Sequence, residues 1–427
     1  MRQPWSGSTG IWRLPHRDGA AKRGAELHRA AADNREKMQM SSLSRIALGL
    51  AASTFLTSGA MAEAGKIKIG LVFTLSGPAA VLGEQGRDGF LLAAEKLGKI
   101  GGLDTEIVVI DDEQKPDVAV NKARELVERD DVDFVVGPIF SNILMAIAKP
   151  VTDANVILIS PNAGTSNFAG KDCNPNLFVS SYQNDQVHEV LGAYAQKMGY
   201  NNVFMMAPNY QAGKDSLAGF KHSYKGGVAG EIYTPLGQLD FSAELAQIAA
   251  MQPDAVFTFM PGGMGVNLVK QYRQAGLDSI PFLSAFTVDE TTLPGEKDAA
   301  LGFLGGANWA PDMDVPESKE FVKAYEAKFD RIPATYAMQA YDAAMMIDAA
   351  VREVGNADDT DALRAAMEKA DFKSLRGEFK LGPNHFPIQD FYLVKAVKRE
   401  DGKFETNIAE KIFDDYQDNY VSECVMP

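Results

Sequence analysis

Residues 134–168 read FVVGPIFSNILMAIAKPVTDANVILISPNAGTSNF. The stretch holds two strand-then-loop units with a helix between them. A short apolar strand at 134–136 ends in Gly137-Pro138. Ser141 stands where a helix N-cap is expected, and the helix runs to about residue 152. A second strand at 156–159 ends in Ser160-Pro161, followed by the small polar run Asn162-Ala163-Gly164-Thr165-Ser166. In open α/β sheets, ligands sit beyond the carboxyl ends of strands, where loops expose backbone N–H groups and helix N-termini. Ser141 and Thr165 offer hydroxyls there, and Ala163 and Gly164 let a ligand approach the backbone. The stretch reads as a clamp for a small anion, not as a catalytic centre. Gly-Pro and Ser-Pro after strands are also ordinary turn chemistry, so these residues alone leave a plain turn open.

Outward from this stretch the alternation continues. Strands are expected at 67–73 and 106–110, and helices at 83–97 and 118–128. An extended segment, LFVSSYQ at 177–183, leads into a second series. Its helices are expected at 187–198, 213–224, 243–251 and 266–275, and its strands at 203–206, 231–234, 255–259 and 280–283. Three helices at 317–329, 336–354 and 360–369 follow. Two final strands at 391–397 and 404–412 flank a Glu400-Asp401-Gly402 hairpin turn. One βα pattern repeated in two halves predicts an α/β protein of two Rossmann-like lobes, each built on a parallel sheet.

The first 62 residues differ in kind. Residues 1–37 are basic, lack apolar periodicity and read as an upstream extension without a fold; the true start is expected at Met38 or Met40. Arg45, an apolar run at 46–56 and the A-x-A site Ala60-Met61-Ala62 then have the anatomy of a secretory signal peptide, cleaved after Ala62. The run is shorter than the roughly 20 residues that cross a bilayer. A periplasmic location is expected. The whole chain has 42 basic and 57 acidic residues; without residues 1–62 the balance is 33 to 53, a net charge of −20. Such a charge argues against nucleic acid or anionic membrane as a partner. The two cysteines, Cys173 and Cys424, both lie in the mature part, and export with an even count predicts a Cys173–Cys424 disulfide. His188, His222 and His385 are widely separated, so neither a metal centre nor a cofactor is expected.

The segments KIKIGLVFTLSGPAAVLGEQGRDGF (66–90), VVGPIFSN (135–142), ILISPNAGTSNF (157–168), FMMAPNYQAGKDSLAGF (204–220) and PATYAMQAYDA (333–343) together resemble periplasmic solute-binding proteins of the branched-chain amino acid type. These are receptors of ABC importers with the type I periplasmic binding fold. The resemblance implies two lobes joined by three hinge strands, with the ligand in the cleft between them. The crossings would fall near 179–184, 306–311 and 383–390. Lobe one would comprise 66–181 plus 310–386, lobe two 182–309 plus 387–413, and a tail 414–427. A monomer that hands its ligand to membrane permease subunits is implied.

The resemblance also places the site. The loops after Gly137-Pro138 and Ser160-Pro161 would bind a substrate carboxylate through Ser141 and the run Asn162, Ala163, Gly164 and Thr165. Leu82 would wall the lobe-one side; Tyr210, Met260, the Gly262-Gly263 turn and Phe286 would approach from lobe two. Amino-acid receptors of this type pair the ligand ammonium with an acidic side chain from lobe two. Phe286 occupies that position here, with Asp289 three residues on as a possible substitute. With Phe140 and Trp309, the cleft would then be aromatic and suit an aromatic acid of benzoate or phenylpropanoid type, with an amino acid as the alternative. Enzyme signatures are weak: Gly263-Met264-Gly265 lacks the third glycine of a dinucleotide loop, and neither Gly-x-Ser-x-Gly nor HExxH occurs. No enzyme is expected. A periplasmic sensory ligand-binding protein is the alternative of another class.

Overall fold

The structure, a computed structural model, describes residues 9–13 and 65–426. The expected signal peptide and its cleavage after Ala62 lie outside the described residues. The first sheet collects β1 (Thr9–Arg13), β2 (Lys66–Phe73), β3 (Asp104–Asp111), β4 (Phe134–Val136), β5 (Ile157–Ser160) and β6 (Leu177–Val179) in the order β1-β3-β2-β4-β5-β6. The last five are parallel. They connect through α1 (Ala80–Leu97), α2 (Pro116–Glu128), α3 (Ser141–Thr152) and the one-turn α4 (Ser166–Ala169). All residues of β4 and β5 are buried, as befits central parallel strands with helices on both faces.

The second sheet is built from β7 (Asn202–Pro208), β8 (Gly227–Thr234), β9 (Ala255–Thr258), β10 (Phe282–Ser284) and β11 (Leu304–Ala307), parallel in the order β8-β7-β9-β10-β11. Its helices are α5 (Gln186–Lys197), α6 (Gln211–Ser223), α7 (Ser242–Met251), α8 (Gly263–Gln274) and the short α9 (Leu293–Glu296). The chain then returns to lobe one as α10 (Pro316–Phe329), α11 (Thr335–Val354) and α12 (Thr360–Met367). α11 packs along α1 so closely that a methyl group on Gly89 would lie 2.0 Å from the Ala337 carbonyl oxygen. The chain ends with β12 (Lys380–Leu381), β13 (Pro387–Lys398) and β14 (Phe404–Tyr416), β13 running antiparallel to both β11 and β14. The fold is the expected α/β pair of lobes, with a mixed rather than wholly parallel second sheet.

Three local readings need correction. Ser141 is the first residue of α3, and Phe140 takes the cap position without a side-chain cap. The helix therefore starts with bare N–H groups rather than a capped turn. β14 runs to Tyr416, three residues into the expected tail. Thr9–Arg13, inside the segment read as unfolded, pairs antiparallel with β3 and covers what would be a bare sheet edge; its pattern is too short to stand out in a basic, glycine-rich context.

Three crossings join the lobes, and one buried arginine ties them together. Arg376 donates from Nη1 to the Ser181 carbonyl (3.0 Å) and to Gln389 Oε1 (2.7 Å), and from Nη2 to the Ser180 carbonyl (2.7 Å). Nη2 also reaches Asp342 Oδ2 at 3.0 Å, and both side chains are almost wholly buried. Ser180-Ser181 belongs to the first crossing and Gln389 to the third. The second joins through Asn308, whose Nδ2 donates to the same Ser181 carbonyl (3.2 Å) and to Gln389 Oε1 (3.3 Å). Only a guanidinium offers five donors in a planar fork able to serve so many acceptors at once. On the rim of this hinge, Cys173 and Cys424 form a disulfide. The tail it holds lies over the start of α5, where Tyr420 Oη donates to Asp185 and Asn419 Nδ2 to Glu189.

Two stability effects follow. Arg376→Ala would leave Asp342 buried without its partner, which costs roughly 3–5 kcal/mol; urea unfolding should show that loss, and a change below about 1 kcal/mol would contradict the hinge assignment. Cys424→Ser opens a loop of 251 residues in sequence. It should lower stability by roughly 2–4 kcal/mol in the same assay, and an unchanged midpoint would mean that the bridge constrains nothing.

Candidate functional site

Between the lobes lies a small cavity. Lobe one contributes Leu82 from α1, Ile139, Phe140 and Ser141 at the start of α3, and Asn162 after β5. Lobe two contributes Tyr210 and Ala212 at the start of α6, Phe259 and Pro261 after β9, and Phe286 after β10. Tyr182 and Asn184 from the first crossing, His188 from α5 and Tyr336 from α11 complete the wall.

The two lobe-one loops are locked to each other. Asn162 Nδ2 donates to the Ile139 carbonyl (2.7 Å), and Tyr182 Oη donates to Asn162 Oδ1 (3.0 Å). Asn184 Nδ2 donates to Ser141 Oγ (3.2 Å), while the Gly164 N–H donates to Asn184 Oδ1 (3.0 Å). A side chain at Gly164 is impossible, because its Cβ would fall 1.9 Å from the Tyr182 carbonyl oxygen. These loops thus hold the uncapped start of α3 and the Ser141 hydroxyl at the cavity wall. Bare helix N–H groups and a hydroxyl can receive a carboxylate without a full positive charge.

The rest of the wall is aromatic. Tyr182 and Phe286 stack with centroids 5.5 Å apart, and Tyr210 and Phe259 stack at 6.2 Å. Phe286 also meets Tyr336 at 5.7 Å. His188 points edges at Phe257 (5.7 Å) and Phe259 (5.2 Å). Burial pushes the phenols of Tyr182, Tyr210 and Tyr336 upward and pulls His188 down to about 3, so these groups are neutral at physiological pH. No Asp, Glu, Lys or Arg is among the residues that line the cavity.

The lobes are closed over this space. Asp215 of α6 accepts the Ser166 hydroxyl (2.9 Å) and N–H (3.3 Å) from lobe one, together with Asn184 Nδ2 (2.8 Å) and Gln211 Nε2 (2.7 Å). The Gly262-Gly263 turn lies against lobe one, with an added Gly263 Cβ only 3.3 Å from Pro78.

The expected site residues divide accordingly. Leu82, Phe140, Ser141, Asn162, Tyr210 and Phe286 line the cavity. Ala163, Gly164 and Thr165 stand behind the wall: the Ala163 carbonyl accepts from Ser160 Oγ (2.6 Å), Gly164 supports Asn184, and Thr165 caps α4. Met260 lies in the lobe-two core, its N–H donating to Thr287 Oγ1. Trp309 lies in a core too, its Nε1 donating to Ser318 Oγ (2.8 Å) and its ring edge-on to Phe321. Asp289 is buried outside the lining, with Oδ1 accepting from Thr291 and burial raising its carboxyl to about 6. Sequence reasoning missed Tyr182, Asn184, His188, Phe259 and Tyr336 as wall residues. Tyr182 and Asn184 sit within the expected first crossing, and Tyr336 within the PATYAMQAYDA segment; both signals were present but read only as hinge and family pattern.

Comparison with known proteins agrees with this architecture. A profile described as periplasmic binding protein matches residues 66–403. The Leu/Ile/Val-binding protein homolog 6 of Brucella melitensis biotype 1 is 28% identical over 375 residues, covering 85% of this chain and 95% of that relative. The crystal structure of an ABC transporter solute-binding protein from R. palustris in complex with benzoate is 32% identical, with a TM-score of 0.78, covering 84% of this chain and 99% of that one. A solute-binding protein of an ABC transporter from Rhodopseudomonas palustris BisB5, in complex with 3,4-dihydroxybenzoic acid, is 30% identical, with a TM-score of 0.78 and coverage of 83% and 99%. Family profile, fold and cleft together show that this chain belongs to the periplasmic binding proteins, as a solute-binding protein of the ABC-transporter kind.

Proposed function

We propose that this protein captures a small aromatic carboxylate of benzoate or phenylpropanoid type in the periplasm and delivers it to the permease of an ABC importer. The observation that carries the reading is the uncharged, aromatic wall of the cavity. An amino acid would bring an ammonium into this space, and a buried cation without a counter-charge costs several kcal/mol. Phe286 stands where a carboxylate would be needed, and Asp289 holds its own turn outside the lining. An aromatic acid meets no such penalty. Its carboxylate has the α3 start and Ser141, and its ring gains about 0.5–1.5 kcal/mol per aromatic contact beyond area burial. The benzoate and dihydroxybenzoate complexes of the two solved relatives support this reading; the name of the Brucella relative favours a branched-chain amino acid instead. Release and capture proceed by opening and closing of the lobes about the three crossings.

Calorimetry with benzoate, hydroxycinnamate, leucine and phenylalanine decides between the two ligand classes. Binding of at least one aromatic acid, with no heat from leucine, is the expected result. Ser141→Ala should weaken that binding by about 0.5–1.5 kcal/mol. Micromolar binding of leucine with no response to either aromatic acid would return the chain to the amino-acid receptors.

A further inference from the structure

His188 is the one imidazole in a wall of aromatic, aliphatic and neutral polar side chains. It lies in the first turn of α5 on the lobe-two side of the cavity and is 2% exposed. Three phenyl rings surround it edge-on: Phe257, Phe259 and Phe286, the last at 6.5 Å. Among the described residues nothing hydrogen-bonds its Nδ1, although that atom is out of reach of bulk water. Buried polar groups in folded proteins nearly always have partners, and one left without a partner calls for an explanation. Packing alone does not supply it, since a phenylalanine would fill the same wall at no polar cost.

We infer that His188 is a specificity residue that hydrogen-bonds a hydroxyl on the ligand ring, so that the site prefers hydroxylated aromatic acids to unsubstituted benzoate. The inference rests on the aromatic-acid reading and names the subclass. On that reading the carboxylate sits on lobe one, at Ser141 and the start of α3. His188 belongs to the other lobe, so a ligand that spans the cleft presents its far edge there. A neutral imidazole suits a hydroxyl, since either tautomer can donate at one ring nitrogen and accept at the other. Burial among phenyl rings, which lowers its pKa to about 3, keeps it neutral when the pocket is empty. A cationic role would require protonation against that burial. A ligand without the hydroxyl would leave the buried nitrogen unpaired, and sites built for a hydroxyl discriminate against such analogues.

The test is calorimetry of the wild type, His188→Phe and His188→Gln with benzoate and with 2-, 3- and 4-hydroxybenzoate. Thermal melts establish that each variant is folded. The wild type should bind at least one hydroxybenzoate about tenfold or more tighter than benzoate. His188→Phe should bring that ratio to about one, and His188→Gln should restore part of it. Nitrogen NMR shifts of the His188 ring should move with the preferred hydroxybenzoate and not with benzoate. A wild-type ratio near one, or a ratio unchanged in His188→Phe, overturns this inference and leaves the aromatic-acid reading standing. Equal loss of benzoate and hydroxybenzoates in a folded His188→Phe would assign the ring to the carboxylate and equally overturn it. Absence of any aromatic-acid binding to the wild type would instead remove the reading on which it rests.

Discussion

Three hydrogen-bond donors from separate parts of the chain converge on one carbonyl oxygen, that of Ser181. They come from Asn308, Arg376 and Gln389, and they bind the three crossings into one hinge. The same residue reaches the ligand site: Ser181 Oγ donates to the Asn162 carbonyl (3.0 Å), and its neighbour Tyr182 both holds Asn162 and stacks on Phe286. Hinge geometry and cavity geometry are therefore set by one short segment. Such a buried pair adds little net stability compared with an apolar core, but its loss leaves a charge and several carbonyls unpaired. Here its main effect is positional. It keeps the strands that connect the lobes in one register.

On the proposed reading, the cavity built on that hinge binds by shape and by neutral dipoles. A carboxylate entering it would exchange water for the first N–H groups of α3 and for a hydroxyl already oriented by Asn184. Charge-assisted hydrogen bonds of that kind are strong when the donors are fixed beforehand. Closure supplies the rest: Asp215 gathers four donors at the mouth, one pair of them from the opposite lobe, and the Gly262-Gly263 turn seats against Pro78. With no charged side chain in the wall, the proposed selectivity against ammonium-bearing ligands would come from desolvation alone.

The lobes and the two strand-then-loop units were legible because their signals are local. Those units, ending in Gly137-Pro138 and Ser160-Pro161, carry their own boundaries, and Phe286 could be placed by the resemblance of its surroundings. Arg376 could not be foreseen, since its partners lie 34 residues away at Asp342 and almost 200 away at Ser180 and Ser181. His188 was weighed only as a metal ligand, and its neighbours Phe257 and Phe286 come from β9 and from the loop after β10, which pattern alone does not bring together. Trp309 was expected in the cleft for its size and chemistry, but a buried indole needs an acceptor, and Ser318 supplies one in the core. Local pattern thus specified the elements, while the cavity wall arises from residues that meet only in the assembled fold.

The central claim is that an aromatic acid sits across the cleft with its carboxylate on lobe one. A crystal structure of the protein with a hydroxybenzoate tests it most directly. The expected result is a carboxylate within hydrogen-bonding distance of Ser141 Oγ and the first N–H groups of α3, with the ring against Tyr182, Tyr210 and Phe286. A ligand carboxylate held elsewhere, or an amino acid bound with its ammonium at Asp289, would contradict it.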